Sequence, residues 1–325
     1  MGTIAGLFPP GTDLCQIPSG TPPSGQVPNF DDPGLKAVTI SISVVLTTIT
    51  VVISLGRLHA NLRKPSWTDW DLLVFVLLAM VLNIAVTVVM IICKPIPNAS
   101  HAVLVVKYFR HIWDMPLCWI NGQFEQEALN SLSLFFSKTA TLMLFRRIFA
   151  ISRAMNIAIW IGTVFCFATY ASSIVITSYY SAPHFGSTWD QVVAEIYGPS
   201  VFLLYWSIAQ GSASTLLDVY IFILPLPVLA GLHLSTKRKI QIIAIFCVGL
   251  LGVAAGIISL VYRVKATQKS VSDATYNAGI PLLNNLVEMD IAVIICSAPA
   301  FTNFLRASVL DSRFFYVSPG EVGTG

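Results

Sequence analysis

The stretch "SLFFSKTATLMLF", residues 133–145, sets one lysine, Lys138, in the middle of a run otherwise suited to lipid. Its reading decides what kind of bundle the chain builds. An ionisable group in the hydrocarbon layer costs on the order of several kcal/mol unless it is paired or faces a cavity. Three roles compete for it: a cofactor anchor as in a retinal pump, a buried half of an ion pair, or a cation that binds a ligand or takes part in catalysis. The surroundings fit a membrane. Of 325 residues, 55% are hydrophobic and only 11% charged, with a mean hydropathy of +0.74, against about 25% charged in a soluble domain. A polytopic membrane protein follows, with the lipid bilayer as its first partner. The net charge of +3 is scattered, and no basic stripe with interleaved aromatics appears, so a nucleic-acid partner is set aside.

Working outward, a bilayer core of roughly 30 Å needs about 20 apolar residues per helix. Seven runs meet this, near 35–55, 72–93, 128–145, 155–178, within 199–232, 240–262 and 281–305. The expected fold is all-α, a polytopic membrane bundle of seven transmembrane helices spanning residues 35–305. The connections after the first, third and fifth runs hold Arg57, Arg63 and Lys64, then Arg146, Arg147 and Arg153, then Lys237, Arg238 and Lys239. Such short, basic loops are cytoplasmic by the positive-inside rule. The N-terminus is then outside and the C-terminus cytoplasmic. The sequon at Asn98 falls in an outer loop on this topology, where a glycan can be added.

Residues 1–34 carry seven prolines and six glycines and no lysine or arginine, which reads as a disordered extracellular tail and not a signal peptide. Residues 306–325 read as a short cytoplasmic tail. The opening "MGTIAG" lacks the Ser or Thr of a myristoylation signal. The six cysteines include no CxxC pair and no zinc-type His spacing, so no metal is expected. Cys166, Cys247 and Cys296 lie in apolar runs as small hydrophobes, which leaves Cys15, Cys93 and Cys118 for pairing.

Besides Lys138, the ionisable residues deep inside the runs, away from their ends, are Asp218, Glu288 and Asp290. At about 1.5 Å rise per residue, Lys138 and Asp218 reach similar depth, so an ion pair is expected between them. It serves either as structural glue or as a functional centre. The pairing predicts that Lys138→Met destabilises the protein and that adding Asp218→Asn restores folding. Glu288 and Asp290 point about 200° apart on a helix, which places Glu288 inward and Asp290 towards the outer headgroups. The candidates for chemistry are Lys138, Asp218, Glu288 and His111.

Ligand-binding candidates add Trp113, Asp114 and Gln210. His111, Trp113 and Asp114 come from "YFRHIWDMPLCW", residues 108–119, which reads either as a lid or as an interfacial aromatic belt. His111 and Asp114, three apart, suit a His–carboxylate hydrogen bond. Gln210, Ser212, Ser214, Thr215 and Asp218 share the fifth helix, and Pro225 and Pro227 predict a kink near its end. "GVAAG", residues 252–256, reads as a small-residue packing face. No HExxH, GxSxG, P-loop or aspartate-rich diphosphate motif occurs in a span. A retinal Schiff base needs a lysine in the last helix, but 281–305 contains none, so no cofactor is implied.

The ordered set "SWTDWDLLV", "HIWDMP", "SKTATLMLFRRIF", "LLDVYIFILPLPVLAGLHLSTKRK", "DATYN" and "VEMDIAVIICSAPAF" resembles the fungal rhodopsin-domain integral membrane family over about residues 35–305. That family holds Pth-type G-protein-coupled receptors and membrane proteins of secondary-metabolite clusters, including the satratoxin cluster. By position, the resemblance carries its recurrent polar residues onto Asp69, Asp71, His111, Trp113, Asp114, Lys138, Arg147, Asp218, Lys239, Arg263, Asp273, Tyr276 and Glu288, with Pro225, Pro227 and Pro299. The loop "SAPHFGSTWDQ" lacks the cysteine usual near that tryptophan. About twenty residues follow the last span, where receptors of the group often carry a long tail.

Two functions stand. The first is a receptor-like binder of a lipophilic small molecule, coupled to a heterotrimeric G protein or belonging to a secondary-metabolite cluster, in the plasma membrane or an endomembrane. The second is a membrane-embedded biosynthetic enzyme, a cyclase or isomerase of a lipophilic polyketide or terpenoid. A transporter is the weaker reading, since no internal repeat shows.

Overall fold

Each of the seven apolar runs forms a helix over its described residues, because hydrocarbon offers no partner to backbone N–H and C=O groups and the helix satisfies them internally. The computed structural model describes residues 17–18, 22, 25–29, 36–63, 67–91, 111–114, 122–149, 153–182, 184, 201–227, 236–268 and 274–305. The helices are α1 (Lys36–Arg63), α2 (Trp67–Ile91), α3 (Gly122–Phe149), α4 (Arg153–Ser181), α5 (Val201–Ile223), α6 (Thr236–Gln268) and α7 (Ala274–Leu305). One 3-10 turn, Ile112–Asp114, precedes α3, and no strand occurs among the described residues. Five helices, α1 to α4 and α7, are long and apolar enough to cross a membrane over their described residues. Asn98, Cys15, Cys93, Cys118, Asp273 and residues 306–325 lie outside the described residues. Cys166 and Cys296 are buried free thiols.

The helices close into a ring. Each packs on its neighbours in chain order, α7 returns to α1, and α3 and α7 touch across the middle. Apolar side chains of α2, α3 and α7, among them Val76, Ala140, Leu144 and Val293, form one core layer. Leu134, Tyr170, Leu217, Leu286 and Met289 form a second, and Leu142, Phe145, Ile159 and Leu224 a third. Buried polar residues crowd α3: Ser131, Ser133, Ser137, Thr139 and Thr141 all face inward. The most apolar window of α3 is 67% buried, against 22% for α1. That difference makes α3 the central helix and α1 the peripheral one, with Val45, Val52 and Leu55 pointing outward.

Three expectations change. Helix α7 begins at Ala274, not at Pro281, because Pro281 lies within it together with Pro299. Helix α5 is interrupted at the prolines: Leu224 and Pro225 form a turn and residues 226–227 are helical again, since Pro225 has no N–H and its ring clashes with the carbonyl four residues back. Arg57 is not a loop residue. It lies inside α1, 3% exposed, and its Nη1 donates to the carbonyl oxygen of Cys296 on α7. Asp290 does not face outer headgroups either. It is fully buried, its Oδ1 accepting from Thr50 Oγ1 on α1 at 2.8 Å and Asn83 Nδ2 on α2 at 2.6 Å. The reason is the ring: α7 is surrounded by α1, α2, α3 and α6, so both of its acidic side chains point into protein.

Candidate functional site

Lys138 occupies the middle of α3, on the face turned to α5 and α7. Its Nζ lies 2.8 Å from Asp218 Oδ1 of α5 and 2.5 Å from Glu288 Oε1 of α7. It also donates to the Ser214 hydroxyl at 2.9 Å and to the Ser214 carbonyl at 3.2 Å. Tyr170 of α4 completes the surround: its ring centroid is 5.8 Å from Nζ, and its hydroxyl is 3.0 Å from the Ser214 hydroxyl. The expected contact with Asp218 is present, but it is half of a triad. Four helices thus meet on one ammonium group. The spacing explains how: Ser214 and Asp218 are one helical turn apart, so both project from the same side of α5.

The triad is unequal in composition, with one amino group against two carboxyl groups. Asp218 Oδ2 is buried without a hydrogen-bond partner among the described residues. Beside it, a Cβ added at Gly256 of α6 would lie 3.2 Å from that oxygen, so the glycine lets α6 pack directly against the carboxyl group.

A half-open cavity of about 70 Å³ begins at the triad. Lys138, Asp218 and Glu288 form its polar wall, and Phe145, Phe222 and Phe246 contribute to a largely apolar remainder. The lining from α3, α5 and α7 lies C-terminal to the triad residues. The cavity therefore runs towards the end of the bundle that bears Arg146 and Arg147. Pro225, at the turn that ends α5, also lines it.

The other candidates lie elsewhere. Gln210 accepts from Arg263 Nη1 at 3.3 Å, and the same nitrogen donates to the Ser207 carbonyl at 3.1 Å. Eight residues separate Gln210 from Asp218, about 12 Å of helix. His111 and Trp113 stack with ring centroids 4.5 Å apart, and Trp113 and Asp114 are buried. Asp114 Oδ1 accepts from the backbone N–H of Asn29 at 2.8 Å. Its own N–H donates to the His111 carbonyl at 3.0 Å, an interaction within one turn. The structure thus brings Lys138, Asp218 and Glu288 together and leaves His111, Trp113, Asp114 and Gln210 out of that contact shell.

Tyr170 was missed because a tyrosine in a span reads as belt. Its signal was position: it sits mid-helix, away from either end of α4, where a hydroxyl needs an internal partner. Thr50 and Asn83 carried the same signal in α1 and α2.

Seven helices closed around a buried ammonium–dicarboxylate group define a multi-pass, all-helical integral membrane protein. The family model of the fungal rhodopsin domain matches residues 100–307, more than half of the chain, and the chain belongs to that family. The matched region contains α3 to α7 and hence every member of the triad, whereas α1 and α2 precede it. No curated protein and no solved structure gave a significant match.

Proposed function

We propose that this fungal rhodopsin-domain protein is a receptor-like binder of a lipophilic small molecule, spanning the membrane seven times with its N-terminus outside and its C-terminus in the cytoplasm. The observation that carries this is the largely apolar cavity that ends on Lys138, Asp218 and Glu288. Apolar walls with a few convergent polar groups are the usual make-up of a ligand site, and a buried charge network is expensive to keep without a role. A heterotrimeric G protein at the basic end and a place in secondary metabolism are the partners that the family resemblance suggests.

Native mass spectrometry of protein extracted from its own membranes tests the binding. The parent is expected to retain a low-mass species that Gly249→Trp, which fills the cavity, loses. Absence of any such species, or its retention by the variant, would overturn the reading. The orientation is tested separately at Asn98, where a glycosidase-sensitive mobility shift is expected and Asn98→Gln should remove it.

One observation favours a second reading, a cyclase or isomerase. An ammonium and two carboxylates line the same cavity, so a proton donor and a proton acceptor face one substrate position. Deletion of the gene in the producing fungus distinguishes the two. An enzyme's loss changes the product profile, and an unchanged profile and yield sinks the enzymatic reading.

A further inference from the structure

The charge inequality of the triad names the chemical class of the ligand. Among the described residues that line the cavity, Lys138 is the one cation and Asp218 and Glu288 are the two acids. The other buried arginine near α7, Arg57, is held by the Cys296 carbonyl, and Arg263 is held by Ser207 and Gln210, about two turns of α5 away. Lys138 uses Asp218 Oδ1 and Glu288 Oε1. Asp218 Oδ2 has no hydrogen-bond partner among the described residues and lies close against Gly256 of α6. An unmatched carboxylate inside a membrane bundle is costly unless a proton or one more positive charge neutralises it, and a cation is the neutraliser that a ligand can bring. The cavity supplies the place for it, with room for about five water-sized groups and aromatic walls at Phe145, Phe222 and Phe246.

We infer that the cavity binds a lipophilic amine. Its ammonium group sits against Asp218 and Glu288 on the side away from Lys138, which gives an alternating arrangement of two cations and two anions with no net charge. Its apolar body lies along the aromatic wall towards the turn at Pro225. A neutral lipophile fills the same walls but leaves the carboxylate unmatched, and a fatty acid adds a third negative charge. Charge-assisted hydrogen bonds to a buried acid are the strong kind, so the amine gains over its isosteric alcohol at the triad and nowhere else. This inference rests on the cavity being a ligand site and adds the sign of the ligand's charge.

The test uses the full chain in phosphatidylcholine nanodiscs, with octylamine, octanol and octanoate as matched probes and the thermal unfolding midpoint as readout. Octylamine is expected to raise Tm saturably, with a half-saturating concentration at least about ten-fold below that of octanol, and octanoate is expected to give no shift. In Asp218→Asn, Lys138 keeps one carboxylate and charge balance is met without ligand, so the preference for octylamine over octanol should vanish while octanol still acts. Glu288→Gln carries the same expectation and serves if Asp218→Asn does not fold.

Equal effects of octylamine and octanol on the parent would overturn the amine assignment and leave the cavity as a site for neutral lipophiles. No saturable shift with any probe would overturn both readings. An octylamine shift that persists undiminished in Gly249→Trp would assign the effect to the bilayer and overturn the inference.

Discussion

At Lys138 the relevant contrast is between removing a charge and removing a charge set. Taking one partner from a buried ionic group leaves the rest uncompensated, at a cost of about 3–5 kcal/mol, whereas replacing the whole group by neutral residues is often close to neutral. Lys138→Met is therefore expected to lower Tm sharply or abolish expression. The pair picture held that Asp218→Asn would rescue it. With Glu288 at 2.5 Å from Nζ, that double variant still buries a lone carboxylate and should remain impaired. Adding Glu288→Gln to it should restore most of the lost stability. Unfolding scans of the three variants in nanodiscs check the order: rescue already at the double variant would show that Glu288 does not share the charge.

The lysine's depth and its link to Asp218 were legible because both follow from counting residues along two helices. The third member was not. Glu288 was placed inward by its angular position, but joining it to Lys138 needs the relative rotation of α3 and α7, which no spacing within one helix contains. Asp290 shows the same limit in reverse. A helix with one polar and one lipid face would send it outward, but α7 is enclosed on most sides.

Among the helices, close approach is set by glycine at particular points. A Cβ at Gly162 of α4 would stand 2.8 Å from Tyr220 Cε1, and Tyr220 of α5 reaches past it to donate to the Ala158 carbonyl at 2.6 Å. Gly162→Ala must push a rigid ring off its hydrogen bond, and a cost of about 1–3 kcal/mol is expected. Gly249→Ala is the matching control. Its Cβ would meet Phe222 at 3.7 Å, an ordinary contact, so its Tm should stay near the parent value. If the two variants melt alike, Tyr220 is not wedged as described. The small-residue run at 252–256 was read as a packing face. Gly252 does approach Ile291 of α7, but Gly256 approaches Asp218, so the face also shapes the polar site. A helix boundary erred where proline was treated as a start: inside α7 the helix continues through Pro281, whereas at Pro225 α5 is interrupted by a turn.

Across the whole molecule, the number and order of helices were written in run length and hydropathy, but the roles of the helices were not. The least apolar run is the most buried. Serines and threonines that look like loop composition are tolerated in α3 because five hydroxyls face protein, where four of them find backbone carbonyls or side chains of other helices. Ser137 and Thr141 donate to Leu134 and Ser137 carbonyls at 3.0 and 3.1 Å. Conversely, the outward residues of α4 meet lipid. Val164, 65% exposed at mid-helix, is expected to cost about 2.5–3.5 kcal/mol of insertion free energy when changed to Asp. Carbonate extraction of membranes measures the inserted fraction, and an undiminished fraction would show that this face is not in hydrocarbon.

The two acids of α7 stand two residues apart and look in opposite directions, Glu288 to Lys138 on α3 and Asp290 to Thr50 and Asn83 on α1 and α2. The helix is thereby held like an axle gripped from both sides. Any twist that shortens one grip loosens the other, so the cavity beside the triad is geared to the far side of the ring. Thr50→Val, which weakens only the Asp290 grip, should accordingly change the octylamine midpoint although it touches no cavity residue. Combined with Glu288→Gln, its effect on stability should depart from additivity by about 0.5–3 kcal/mol.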